Sequence, residues 1–153
     1  VQGKPFVGSH GEILDLMLSA ADRTREDVFL TNTVCCKTPD SEDPVKEALA
    51  ACRPRMMEEI YLVDPVVIIT LGKVATTYFL GKHRLPDVVG KMYPVELPGR
   101  VTPWKTTVLP TWHPEKILRE GMSAALADDV FRHMCLGFET ADIHREVAYE
   151  EID

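Results

Sequence analysis

No stretch of this sequence is long and apolar enough to cross a bilayer. The longest apolar run, Val66-Val67-Ile68-Ile69-Thr70-Leu71, falls far short of the roughly 20 residues a membrane helix needs. No signal-peptide pattern opens the chain. Both absences point to an intracellular, cytoplasmic protein with no membrane partner. Cysteine is sparse: Cys35, Cys36, Cys52 and Cys135 contain no C-x-x-C pair. The adjacent Cys35-Cys36 pair is poorly shaped for a disulfide, and the spacing does not suggest a secreted disulfide scaffold. A Gly-rich phosphate loop of either common type is also missing, which counts against an α/β enzyme of small nucleotides. Basic charge is short as well. A formal net charge of −7 over 153 residues argues against a generic nucleic-acid coat, because phosphate binding wants Lys and Arg.

The acidic excess is uneven. From Glu139 to Asp153 the chain carries Glu139, Asp142, Glu146, Glu150, Glu151 and Asp153 against Arg145, so residues 138–153 read as a solvated acidic tail behind a domain spanning residues 1–137. The middle holds Lys82, His83, Arg84, Lys91, Arg100, Lys105, Lys116 and Arg119, which leaves room for a small DNA footprint. The length suits one domain with one sizeable core, and a monomer is expected.

What is present is an alternation of strand and helix patterns. Ile13, Leu14, Met17, Leu18 and Ala21 recur at helical spacing over Gly11–Ala21, with Ser9 as a cap. Asp27–Val34 is rich in β-formers and reads as a strand. A polar loop, Lys37–Pro44, leads to a helix through Val45, Leu49, Cys52, Met56 and Ile60, with Asp43 as cap, Pro44 in its first turn, and Pro54 expected to kink or split it. Val66–Leu71 is apolar on both faces, as a central parallel strand is, and Gly72 leads directly into a helix over Lys73–Leu80. Gly81–Pro103 is looser and predicts one hairpin or an irregular crossing. Thr106–Pro110 is a further strand, followed by Thr111-Trp112-His113-Pro114, a short helix through Ile117 and Leu118, and a last helix over Ser123–Met134. The pattern predicts a three-layer α/β/α fold around a central, mostly parallel four-stranded sheet. Val1 leaves no room for a first strand, which is expected to lie ahead of it.

In open α/β sheets ligands lie outside the carboxyl ends of the strands. That rule selects Asn32 and His113, and the loop Gly3-Lys4-Pro5-Phe6-Val7-Gly8 adds the ring of Phe6. An amide offers a donor and an acceptor side by side, an aromatic ring offers a stacking face, and a neutral imidazole donates to an oxygen gaining negative charge. Each residue also has a plainer reading. Asn32 fits a turn or cap, His113 fits a helix start with a capping ring, and Phe6 fits a core plug.

Taken together, Gly3-Lys4-Pro5-Phe6-Val7-Gly8-Ser9-His10-Gly11, Thr31-Asn32-Thr33-Val34-Cys35-Cys36, Ala51-Cys52-Arg53-Pro54, Leu71-Gly72 and Pro110-Thr111-Trp112-His113-Pro114 through Leu118-Arg119 resemble the family 4 uracil-DNA glycosylases. The resemblance implies a DNA-repair hydrolase that flips uracil out of DNA and cleaves its N-glycosidic bond. Phe6 would stack on the base, Asn32 would read its Watson–Crick edge, and His113 would hydrogen-bond its carbonyl as the bond breaks. Pro114, Lys116 and Arg119 would belong to the loop that contacts DNA. Cys36 and Cys52 would be the last two of four ligands to a [4Fe-4S] cluster, provided two further cysteines lie upstream of Val1. As plain residues they read as buried thiols. The family's Gly-Glu-x-Pro-Gly stretch, which positions the attacking water, has no counterpart after Val1. Cys35 stands where the family has Lys, and Lys37-Thr38 where it has Arg-Pro. This chain by itself is therefore expected to be inactive even where the complete protein is an enzyme. The alternative is a non-catalytic glycosylase-fold module that binds DNA or serves a polymerase.

Overall fold

The computed structural model describes residues 9–33, 46–99 and 103–152. Helix α1 (Ser9–Ala20) leads through a single 3-10 turn, Arg25–Asp27, to an extended segment over 28–33. Helix α2 (Lys46–Val63) precedes strand β1 (Val67–Leu71), helix α3 (Gly72–Leu80) and the one-turn α4 (Leu85–Val88). Strand β2 (Tyr93–Leu97), strand β3 (Trp104–Thr111), the short α5 (Pro114–Arg119) and the long α6 (Ala124–Ile152) complete the order.

The sheet runs β1-β3-β2. β1 and β3 are parallel, with Val67 opposite Thr107 and Leu71 opposite Thr111, whereas β2 returns antiparallel with Leu97 opposite Trp104. Side chains alternate across β1 as the pleat requires. Ile68 joins Met56, Met57 and Ile60 of α2, Tyr78 and Phe79 of α3, and Leu97 in one core. Leu71 joins Ile13, Leu14 and Leu18 of α1, Ile117 of α5, and Val130 and Met134 of α6 in the other. α6 lies close on the sheet because Gly137 faces it: a Cβ there would stand 2.9 Å from Ile69 Cδ1 and 3.3 Å from Leu109 Cδ2. Two apolar layers on two faces give the expected α/β/α arrangement.

Several elements differ from the sequence expectation. The described sheet has three strands and is mixed, because β2 is antiparallel. Residues 28–33 form no ladder with any other described residue, although they are rich in β-formers. They do keep a strand's alternation: Val28 and Leu30 pack on the α1–α6 core while Phe29 is exposed. They and residues 66–71 line a common cleft of about 1180 Å³, and no other described residue offers them a backbone to pair with. β2 instead supplies the hairpin expected in the Gly81–Pro103 region. Helix α2 passes through Pro54 without ending. An interior proline costs about 3 kcal/mol, and burial of Met56, Met57 and Ile60 directly after it offsets that cost. The proposed caps of α2, Asp43 and Pro44, lie outside the described residues. α6 runs to Ile152, well beyond Met134. Phe138 rests on the core and under the Arg23 guanidinium (5.0 Å to the ring centroid), and Arg23 also pairs with Asp142 at 2.5 Å. Among the described residues no helix is long and apolar enough to cross a membrane.

His133 on α6 is tied to the sheet through Thr111 Oγ1, 2.8 Å from its Nδ1. Burial pushes its pKa below the ordinary imidazole value, partly opposed by Asp129. The unfolded chain therefore takes up the proton first. The stabilisation is complete above the ordinary value of about 6.5 and is lost as pH falls through it towards the lower folded value. Urea unfolding should show stability declining from pH 7 to pH 5 more steeply in the wild type than in His133→Gln, and equal slopes would clear His133 of this role.

Candidate base-binding and DNA-contacting site

The parallel register sets the site. Because Leu71 stands opposite Thr111, the residues that leave the two carboxyl ends, Gly72 and Trp112-His113, emerge side by side. Gly72 has φ +86°, and a Cβ on it would stand 3.0 Å from His113 Cβ and 3.5 Å from Cδ2. The glycine is thus required twice, for its left-handed backbone and for the space His113 occupies. Beneath it, Thr76 Oγ1 donates to Gly72 O at 2.7 Å and lies 2.9 Å from Thr70 Oγ1, both side chains buried. These bonds fix the turn on which the imidazole rests.

His113 is the N-cap of α5, accepting at Nδ1 from the Glu115 N–H at 3.0 Å. A backbone N–H can only donate. Nδ1 is therefore the acceptor, and the neutral ring carries its proton on Nε2. The capping bond thus uses Nδ1 and leaves Nε2–H outside it.

Asn32 is reached from the other side. Its carbonyl accepts from Arg55 Nη2 at 2.5 Å, and the neighbouring Thr31 Oγ1 accepts from Arg55 Nη1 at 3.0 Å. Asn32 is exposed, and it lines the same cleft as His113 and Gly72. Lys73 and Arg119 also line this cleft. Two of the three residues chosen from the sequence are thus brought to one cavity. Phe6 lies outside the described residues.

A model of the Uracil DNA glycosylase superfamily matches residues 1–134. The chain belongs to this superfamily. It is 34% identical over 138 residues to a Type-4 uracil-DNA glycosylase of Saccharolobus solfataricus, covering 86% of this chain and 62% of that protein. A Type-4 uracil-DNA glycosylase of Pyrobaculum aerophilum is 36% identical over 123 residues, covering 77% and 61%. A segment amounting to 12% of a DNA polymerase of Bacillus phage SP01 is 27% identical over 118 residues, or 76% of this chain. The chain thus spans about 60% of the length of the glycosylases it matches.

Within the superfamily framework, the α5 residues divide by burial. Pro114, expected to contact DNA, is buried in the first turn of α5 and packs inward, so its ring shapes the loop and offers no surface. Lys116 is half-buried, stacked over Trp112 at 5.1 Å and paired with Glu120 at 2.9 Å. Arg119 is exposed at the end of α5 and presents its charge to solvent. Cys52 is half-buried on α2, and Cys36 lies outside the described residues. Among the described residues no three His, Cys, Asp or Glu side chains come together as a metal site. A [4Fe-4S] cluster takes four thiolates, so these residues do not by themselves form its site.

Sequence reasoning undervalued Gly72 and did not find Arg55. The signal for Gly72 was a glycine immediately after a strand. For Arg55 it was the i,i+4 pair with Glu59 (2.8 Å) on an otherwise apolar-faced helix. Gly72→Ala should fold with a loss of about 1–3 kcal/mol, the usual cost of a non-glycine residue held at positive φ. It should also shift the His113 ring resonances more than those of His83. An unmoved His113 spectrum would show that Gly72 does not seat the imidazole.

Proposed function

We propose that the complete protein is a uracil-DNA glycosylase, a hydrolase that draws uracil out of DNA and cleaves its N-glycosidic bond. What supports the reading is that Asn32 and His113, the latter with its proton on Nε2 and just past the carboxyl end of β3, line one cleft in a chain of this superfamily. The glycosidic carbon is shielded inside a duplex, so the base must leave the stack at a cost of a few kcal/mol. Stacking on Phe6 and hydrogen bonds from Asn32 to the Watson–Crick edge offset that cost. As the bond breaks, its electron pair stays on the base nitrogen, leaving a uracil anion and a sugar cation. His113 Nε2–H donates to the carbonyl oxygen on which the negative charge gathers. Water adds to the sugar carbon, and the proton it loses neutralises the uracil anion, so that the products are free uracil and an abasic sugar. Arg119 and Lys116 hold DNA beside the cleft. We further propose that Cys36 and Cys52 supply two cluster ligands, with the other two upstream of Val1, and that the protein works as a monomer inside the cell.

A second reading, a non-catalytic DNA-holding module serving a polymerase, is favoured by the similarity to part of a phage DNA polymerase. One assay separates the two. The complete protein should release uracil from single- or double-stranded uracil-containing DNA, and His113→Ala should slow release about 10²–10³-fold, as loss of one preorganised donor does. Tight binding of that DNA without release would establish the second reading. Undiminished release by the variant would exclude His113 from the reaction. Iron and sulfide analysis should find a cluster in a chain extended upstream of Val1 and none in Val1–Asp153, and an iron-free extended chain would dismiss the cluster.

A further inference from the structure

Among the described residues no strand pairs with residues 28–33, yet Asn32 must stand at a fixed place to read a base. The bonds that reach this segment from α2 form a closed ring. Arg55 Nη1 donates to Thr31 Oγ1 (3.0 Å) and to Glu59 Oε1 (2.8 Å), Thr31 Oγ1 donates to Glu59 Oε2 (2.6 Å), and Arg55 Nη2 reaches the Asn32 carbonyl (2.5 Å). Polarity permits one arrangement only. Guanidinium donates, carboxylate accepts, and the hydroxyl does both, so the direction of every bond is set. The ring stands on a firm base, because Met56, Met57 and Ile60, interleaved with Arg55 and Glu59 on α2, are buried against the sheet.

We infer that Arg55 is a positioning residue for Asn32. Its guanidinium fixes the Thr31 side chain on one side of the Asn32 Cα and the Asn32 carbonyl on the other. The direction in which the carboxamide leaves the backbone follows from these two anchors. The inference rests on the proposed role of Asn32 as the group that reads the base. Arginine is needed for its geometry as well as its charge, since one planar fork reaches three oxygens, which a lysine ammonium on a flexible stem does not reproduce. Glu59 completes the device by holding Nη1 and the Thr31 hydroxyl at once.

A double-mutant cycle on uracil release by the complete protein tests this. Arg55→Lys should lower kcat/KM about 10–100-fold, the scale of a small misplacement of a reacting group. In an Asn32→Ala background the same substitution should cost less than about twofold, while in a His113→Ala background it should keep its full effect. Equal losses in all three backgrounds would make Arg55 a general stabiliser and overturn the inference. Should the wild type release no uracil, the proposed function fails, and the placement itself is then read by NMR on Val1–Asp153. Asn32 is the only asparagine and Gln2 the only glutamine in this sequence, so the side-chain amide pair of Asn32 is readily assigned. Arg55→Lys should shift that pair and leave the Gln2 pair in place. An unmoved Asn32 pair would also overturn the inference.

Discussion

The parallel pairing of β1 with β3 is the constraint on which the rest depends. It places Leu71 level with Thr111, and so brings the turn at Gly72 against the residue that starts α5. It also makes β3 the central strand, with Val108 and Leu109 fully enclosed, so that both helical layers press on the same ladder. A slip of one residue would turn Ile68 and Leu71 towards the wrong cores and separate Gly72 from His113. The site and the core are therefore fixed by one register.

The same register explains why two readings of His113 are compatible. A histidine before a proline at a helix start caps the helix, and here it does so through Nδ1. That bond assigns the remaining proton to Nε2 and orients the ring. Pro114, buried behind it, anchors the first turn and prevents the cap from drifting. A residue that looks merely structural in sequence becomes, through its structural bond, a donor of known tautomer.

Local chemistry made some elements legible and left others hidden. The run Val66–Leu71 followed by Gly72 announced a strand, a tight turn and a helix, because a doubly apolar strand and a left-handed turn need those residues. The hairpin strand Tyr93–Leu97 was foreseen only as a loose hairpin, since Pro94 and its alternating exposure weaken the β signal. Asp27–Val34 misled for the opposite reason: β-propensity is a statement about fitting beside a partner, and among the described residues none pairs with this segment. The helix through Pro54 and the extension of α6 past Met134 depend on tertiary burial of Met56, Met57, Ile60 and Phe138, which no local pattern reports. Asn32 and His113 were legible as polar residues near strand ends. The Arg55–Glu59–Thr31 ring, bridging 24 positions of sequence, was not.

Charge then bears on the DNA contact that the proposed function requires. The net −7 is concentrated towards the end of the sequence, where residues 139–153 carry six acids, while several carboxylates around the cleft are already engaged: Glu59 by Arg55, Asp142 by Arg23, and Asp64 by the Trp104 indole N–H at 2.8 Å. Lys73 and Arg119 remain along the same cleft as exposed cations. Among the described residues so small a set would neutralise few phosphates, so counterion release would contribute little to the proposed DNA contact. Under the proposed function, recognition draws instead on the fit and hydrogen bonding of one extruded base. That places the energetic weight on the geometry of Asn32 and His113, and hence on the two supports beneath them, Arg55 and Gly72.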